Sequence, residues 1–169
     1  RYLSMDAWKA VVWKGYLQSI WFSLRMAVGA TVLLLLICVP AAYAMERKRC
    51  KGRALLSELI FVPLLFPTIT YTSDIRIYVF SFFNKWTGTF GLVTLVTAMG
   101  AIPLVMRSIQ GSLATSDPVY EEAAVAMGAS PARAFFKITL PLIAPGVVTA
   151  AMIAFTSTAM SFTAPYILG

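Results

Sequence analysis

Three uncharged runs dominate this chain: Met26 to Met45, Trp86 to Met106, and Ile138 to Gly169. A bilayer core is crossed by about 20 mostly apolar residues in helical form. Each run is long enough to cross as a helix. The chain therefore reads as all-α, a polytopic transmembrane helical bundle. Composition agrees: 12% of the residues are charged, against about 25% in an average soluble domain.

The net charge of +7 does not point to nucleic acid. Five of the cations (Arg47, Lys48, Arg49, Lys51 and Arg53) share one short loop between apolar runs, as the positive-inside rule expects of a cytoplasmic loop. That loop sets the expected order. Residues 1–16 form an amphipathic lead with Trp8 and Trp13. A first span covers about 17–45 and a second about 54–78, carrying Pro63 and Pro67. A turn follows outside, then a third span over about 92–113, a segment inside the cell over about 115–139, and a fourth span over about 140–160. Beyond it, Pro165 bends an outer tail. A single helix from Ile138 to Gly169 would be ~48 Å long, beyond a ~30 Å core. Eight cations then lie inside and four outside, with Arg25 and Arg76 within spans. The abrupt start at Arg1 and stop at Gly169 read as an excerpt of a longer protein.

No catalytic set is visible. The chain has no histidine, its seven acids are scattered, and no phosphate-binding glycine loop occurs. No metal site and no cofactor is expected. Cys38 falls in a span and Cys50 in the basic loop, so a disulfide is not expected. Charges within spans count first as functional candidates. Arg25, Asp74 and Arg76 either line a pathway or meet a substrate-binding protein at the outer face, or they snorkel to the interface or pair together. Their positions near span ends favour snorkelling or pairing. The terminal bend with Ser161 and Thr163 is a candidate outer gate by its position.

The segment between the third and fourth spans is built differently. Asp117-Pro118 is a helix start, an N-cap followed by proline. Gly128 is a helix stop, and Ser130-Pro131 is a second start. Two short helices joined at a glycine corner follow. Alanines at 123, 124, 126 and 129 let another backbone approach, and Glu121 and Glu122 offer charge to a basic partner. Either this is a docking element or it is an interfacial loop.

The same segment resembles the EAA signature of ABC importer permeases: Glu122-Ala123-Ala124, three residues, Gly128, nine residues, Ile138, one residue, Leu140-Pro141. The stretches "DPVYEEAAVAMGAS" and "ITLPLIAPGVVTA" are similar to that family's loop and following span. The resemblance implies a type I ABC importer permease fold in the inner membrane, with cytoplasmic coupling helices. It implies an ATPase dimer as partner, with ATP hydrolysed there and not on this chain, a second permease subunit, and an external substrate-binding protein. Glu121, Glu122, Ala123, Ala124, Gly128, Ile138, Leu140 and Pro141 would form the coupling site. Family members have five or more spans against the four read here. "AMGAS", "SLRMAV" and "SFTAPYILG" look like the polyamine, iron and thiamine branches. The competing class, a secondary transporter, needs acids deep within spans. Glu58 and Asp74 instead sit near the two faces.

The orientation has a direct check. In intact cells Cys50 should resist a membrane-impermeant thiol reagent and react after permeabilisation. Labelling from outside would invert the topology.

Overall fold

In a computed structural model the described residues are 17–47, 52–65, 70, 72–75, 77, 78, 89–161 and 166. The lead, most of the basic loop, the external turn, Arg76, Thr163 and Pro165 lie outside them. The regular elements among these residues are helical. α1 is Leu17–Arg47 and α2 is Arg53–Leu59, followed by a 3-10 segment at Val62–Leu65. α3 is Phe90–Thr115, α4 Val119–Ala126 and α5 Pro131–Ala134. A π-helical segment at Phe135–Thr139 leads into α6, Leu140–Leu142, and α7, Ala144–Ala159.

α1 and α3 are each long and apolar enough to cross a membrane. α7 makes a third crossing if it is counted with the bent piece before it; the two axes, Pro131–Leu142 and Ala144–Ala159, differ by 72°. Two prolines account for that bend. Pro141 and Pro145 supply no N–H, and each ring crowds the carbonyl four residues back. The chain breaks between them at Ile143, with φ −89° and ψ 2°. The bend expected at Pro165 lies outside the described residues; this one, at the start of α7, was not anticipated. The second span was expected to kink near Pro63 and Pro67; among the described residues α2 ends at Leu59 and the 3-10 segment Val62–Leu65 follows.

α1, α3 and α7 pack pairwise against one another. Their buried residues recur at intervals of four. Met26, Ala30, Leu34, Cys38 and Ala42 form one stripe on α1; Ala150, Ala154 and Thr158 continue a stripe on α7 that begins at Gly146. Small residues at this spacing let helix backbones approach closely, which drives association where lipid removes the hydrophobic incentive. The outer faces carry large exposed apolar side chains, among them Trp21, Val28, Val32, Leu36 and Met152, suited to lipid or to another membrane helix. Hydroxyls are disposed of locally. Thr31, Thr94, Thr97, Thr156 and Thr158 each donate to the carbonyl four residues back, so these hydroxyls are satisfied within their own helices.

The tightest approach is between α3 and α7. A Cβ on Gly146 would overlap the Cβ of Ser112 and lie 3.4 Å from the Ser108 carbonyl oxygen. The Ser108 hydroxyl donates to the Gly146 carbonyl at 3.2 Å. Ser112 Cβ is anchored to backbone and cannot swing aside. Gly146→Ala should therefore destabilise by about 1–3 kcal/mol, the cost of overpacking a close crossing. Adding Ser112→Gly should restore most of the loss. Thermal unfolding of the detergent-solubilised single and double variants checks both.

Candidate coupling site

The segment between α3 and α7 begins at a capped turn. α3 ends at Ser116, whose hydroxyl donates to the Leu113 carbonyl at 2.8 Å. Asp117 Oδ1 accepts from the Val119 N–H at 2.9 Å, the N-cap role expected of it. The carbonyl of Pro118 opens the helix by accepting from the N–H groups of Glu121 and Glu122. α4 ends in a complete Schellman closure. The Gly128 N–H donates to the Val125 carbonyl at 2.9 Å and the Ala129 N–H to the Ala124 carbonyl at 3.0 Å. Gly128 has φ +93°, the left-handed conformation that this closure requires. Ser130 caps α5 by accepting from the Arg133 N–H at 3.4 Å, with Pro131 beginning the helix. The glycine corner and the second helix start stand where the sequence put them, while the first helix begins at Val119, one residue later than Asp117-Pro118 implies.

The second short helix does not continue as α-helix through Phe135 and Phe136. It widens there into the π segment, where the Leu140 N–H reaches back five residues to the Phe135 carbonyl. One residue more than an α-helix needs is accommodated just before Pro141, whose missing N–H already interrupts the regular ladder. Ile138 lies in this segment, half-buried. Leu140 packs against the core and Pro141 is exposed.

The structure divides the candidate residues by direction. Glu122, Ala123 and Gly128 are exposed, while Ala124 is buried at 6% exposure. Around them Val119, Tyr120, Val125 and Met127 present apolar surface, with Met127 83% exposed. The two glutamates do not act as a pair. Successive helical residues point about 100° apart, and Glu121 turns inward, its side chain 14% exposed. Its Oε1 accepts from the Tyr43 hydroxyl. Its Oε2 accepts from the Thr139 hydroxyl at 2.7 Å and lies 3.9 Å from Arg47 Nε. Arg47 Nη2 donates to the Ser116 carbonyl at 3.1 Å and to its hydroxyl at 2.7 Å. The Tyr43 ring also meets Phe135 edge-on, centroids 4.7 Å apart. A groove of about 500 Å³ opens beside these groups, lined by Tyr43, Arg47, Pro118, Glu121, Glu122 and Val125.

Tyr43, Ser116 and Thr139 were not singled out from sequence, and Arg47, counted there only among the cations of the basic loop, is instead the last residue of α1. The available signal was the i, i+4 pair Tyr43 and Arg47 at the basic end of α1, which places both on one helix face.

The remaining candidates lie apart. Arg25 is exposed, its guanidinium 5.1 Å from the Trp21 ring centroid, beside a cavity of about 440 Å³ formed with Gln18, Phe22 and Phe90. Asp74 is exposed and Ser161 half-buried just past α7. Among the described residues no three His, Cys, Asp or Glu side chains converge as a metal site would need.

Comparison with known proteins bears on the whole arrangement. Residues 38–169 match the family model described as binding-protein-dependent transport system inner membrane component. The chain is similar to the molybdenum transport system permease protein ModB of Haemophilus influenzae, 32% identical over 150 residues, covering 82% of this chain and 66% of the relative. It is also similar to the sulfate transport system permease protein CysT of Escherichia coli, 32% identical over 125 residues, covering 68% and 45% respectively. A third relative is the sulfoquinovosyl glycerol transport system permease protein SmoH of Agrobacterium fabrum, at 34% over 137 residues, 80% of this chain and 47% of the relative. The chain spans about half to two thirds of the length of these relatives.

The conformation of Gly128 predicts an order of tolerance. No atom lies within 4 Å of a Cβ built there, so the penalty is in the backbone alone. Gly128→Ala should cost about 1–2 kcal/mol, the left-handed penalty for an L-residue, and Gly128→Asn less. Gly128→Val should cost most. Thermal unfolding of the three variants in detergent reads the order directly.

Proposed function

Because the chain belongs to the binding-protein-dependent transport system inner membrane component family, we propose that it is the permease subunit of an ABC importer, forming half of a substrate pathway. The family is a transport component of the inner membrane, not an enzyme. In this reading energy comes from a cytoplasmic ATPase dimer, the other half of the pathway from a second permease subunit, and solute from an external binding protein. The observation that carries it is the outward face of α4 and its corner. An exposed carboxylate at Glu122 stands among exposed apolar side chains on a short helix closed at its C-terminus by Gly128 and Ala129. A helix closed in this way can be pushed as a unit. Exposed Glu122 can pair with a cation across an interface, and the apolar rim supplies contact area. The positive-inside loop supports a cytoplasmic setting for this face, and the four-span order over 17–45, 54–78, 92–113 and 140–160 belongs to the same proposal.

For the substrate the relatives favour an oxyanion. ModB and CysT are named for molybdenum and sulfate, and molybdenum is soluble in water as the tetrahedral molybdate, close in shape and charge to sulfate. This replaces the polyamine, iron and thiamine reading drawn from "AMGAS" and its neighbours. Among them "AMGAS" lies at the closure of α4 and the start of α5, where its residues are engaged in helix closure and capping.

One preparation tests both levels. The full-length protein, purified in gentle detergent, should bring an ATPase subunit with it. Glu122→Lys should reduce that recovery about tenfold or more, since it replaces an attraction by a repulsion at the interface. Reconstituted with its binding protein, the complex should take up radiolabelled molybdate or sulfate, and spermidine should not compete. A wild-type preparation devoid of ATPase removes the importer reading. Competition by spermidine removes the oxyanion.

A further inference from the structure

Glu121 sits beside the outward-facing Glu122 but is engaged differently. Its carboxylate receives hydroxyls from two elements, α1 through Tyr43 and the π segment through Thr139, and a guanidinium from α1 approaches the same oxygen. The Arg47 guanidinium ties in a fourth point, the end of α3 at Ser116. The Tyr43–Phe135 ring contact braces the same junction. α3 and α7 are joined to the short helices by the chain itself. α1 is not: Tyr43 and Glu121 are 78 positions apart in sequence, so α1 meets α4 here only through side chains.

Resting on the docking proposed above, we infer that Glu121 is a positioning residue that fastens α4 and the π segment to the end of α1, so that displacement of α4 by a partner is delivered to α1 as well as to α3 and α7. A partly buried carboxylate bound by hydroxyls from two elements resists shear between them, because sliding either element strands a buried acceptor or donor. Arg47 acts in the same cluster. Its Nε has no hydrogen-bond partner among the described residues, and its Nη2 is committed to Ser116. The guanidinium therefore holds the α3 end while its charge balances Glu121. Glu122 takes the partner and Glu121 passes on the movement.

The test uses the full-length protein with its ATPase in vesicles, trapped with ATP and vanadate, and follows hydrogen exchange in α4 and in residues 39–47 of α1. In the wild type, trapping should change exchange in both. In Glu121→Ala, which retains α4 because alanine is a strong helix former, the ATPase should remain bound and α4 should still respond. The response of 39–47 should fall by about fivefold or more, as expected when a charge-assisted hydrogen bond is lost from a local opening unit. Thr139→Val and Tyr43→Phe, each removing one hydroxyl, should give intermediate losses and guard against misfolding of the alanine variant. A response of 39–47 that persists in all three variants overturns the inference, as does a wild-type α1 that never responds. Loss of the ATPase from Glu121→Ala would make Glu121 a docking residue, overturning the inference while leaving the importer reading intact. A wild type that holds no ATPase ends both.

Discussion

Close approach of α3 and α7 at Gly146 is the contact on which the rest of the packing depends. Lipid offers apolar side chains no reason to leave it, so helices associate only where they fit better against each other than against acyl chains. The fit here is made by absence of side chain. Gly146 leaves room for Ser112, and Ala150 and Ala154 extend the seam. On α1, Ala30 and Ala42 flank Leu34 and Cys38 along the matching stripe. With these surfaces joined, larger side chains such as Leu36 and Met152 are left on the outside. A soluble bundle would bury such side chains first.

The same scarcity of water governs the polar groups. Within α1, α3 and α7 the threonines turn their hydroxyls onto their own helices. At the junction with the short helices that solution runs out, since a carboxylate and a guanidinium need partners on other elements. The Glu121 cluster meets that need by drawing donors from α1 and the π segment. Polar satisfaction and mechanical connection are supplied by one set of bonds.

Much of this was legible in the sequence. Apolar runs gave α1 and α3, because a long uncharged segment has few alternatives in a membrane. Asp117, Gly128, Ser130 and Pro131 gave the capped ends of the short helices, because caps act over three or four residues and leave a local signature. What was not legible depends on distance in the chain or on helix phase. That Glu121 faces inward and Glu122 outward follows from the rotation of α4 against α1, which adjacent identical letters do not disclose. The π segment was hidden because it arises from a mismatch between Pro141 and the helix before it. Substrate class was not legible in short motifs such as "AMGAS", which lie where α4 ends and α5 begins and are accounted for by helix closure and capping.

The π segment also sets how this chain can change length. Within a regular helix, removing one residue rotates everything beyond it by about 100° and moves it about 1.5 Å. At Phe135–Thr139 the extra residue is already present as a bulge, and its removal would leave an ordinary α turn with the residues on either side keeping their phase. A one-residue change in length is therefore absorbed at this point without turning α4 relative to α7, whereas the same change anywhere else between them would rotate one against the other.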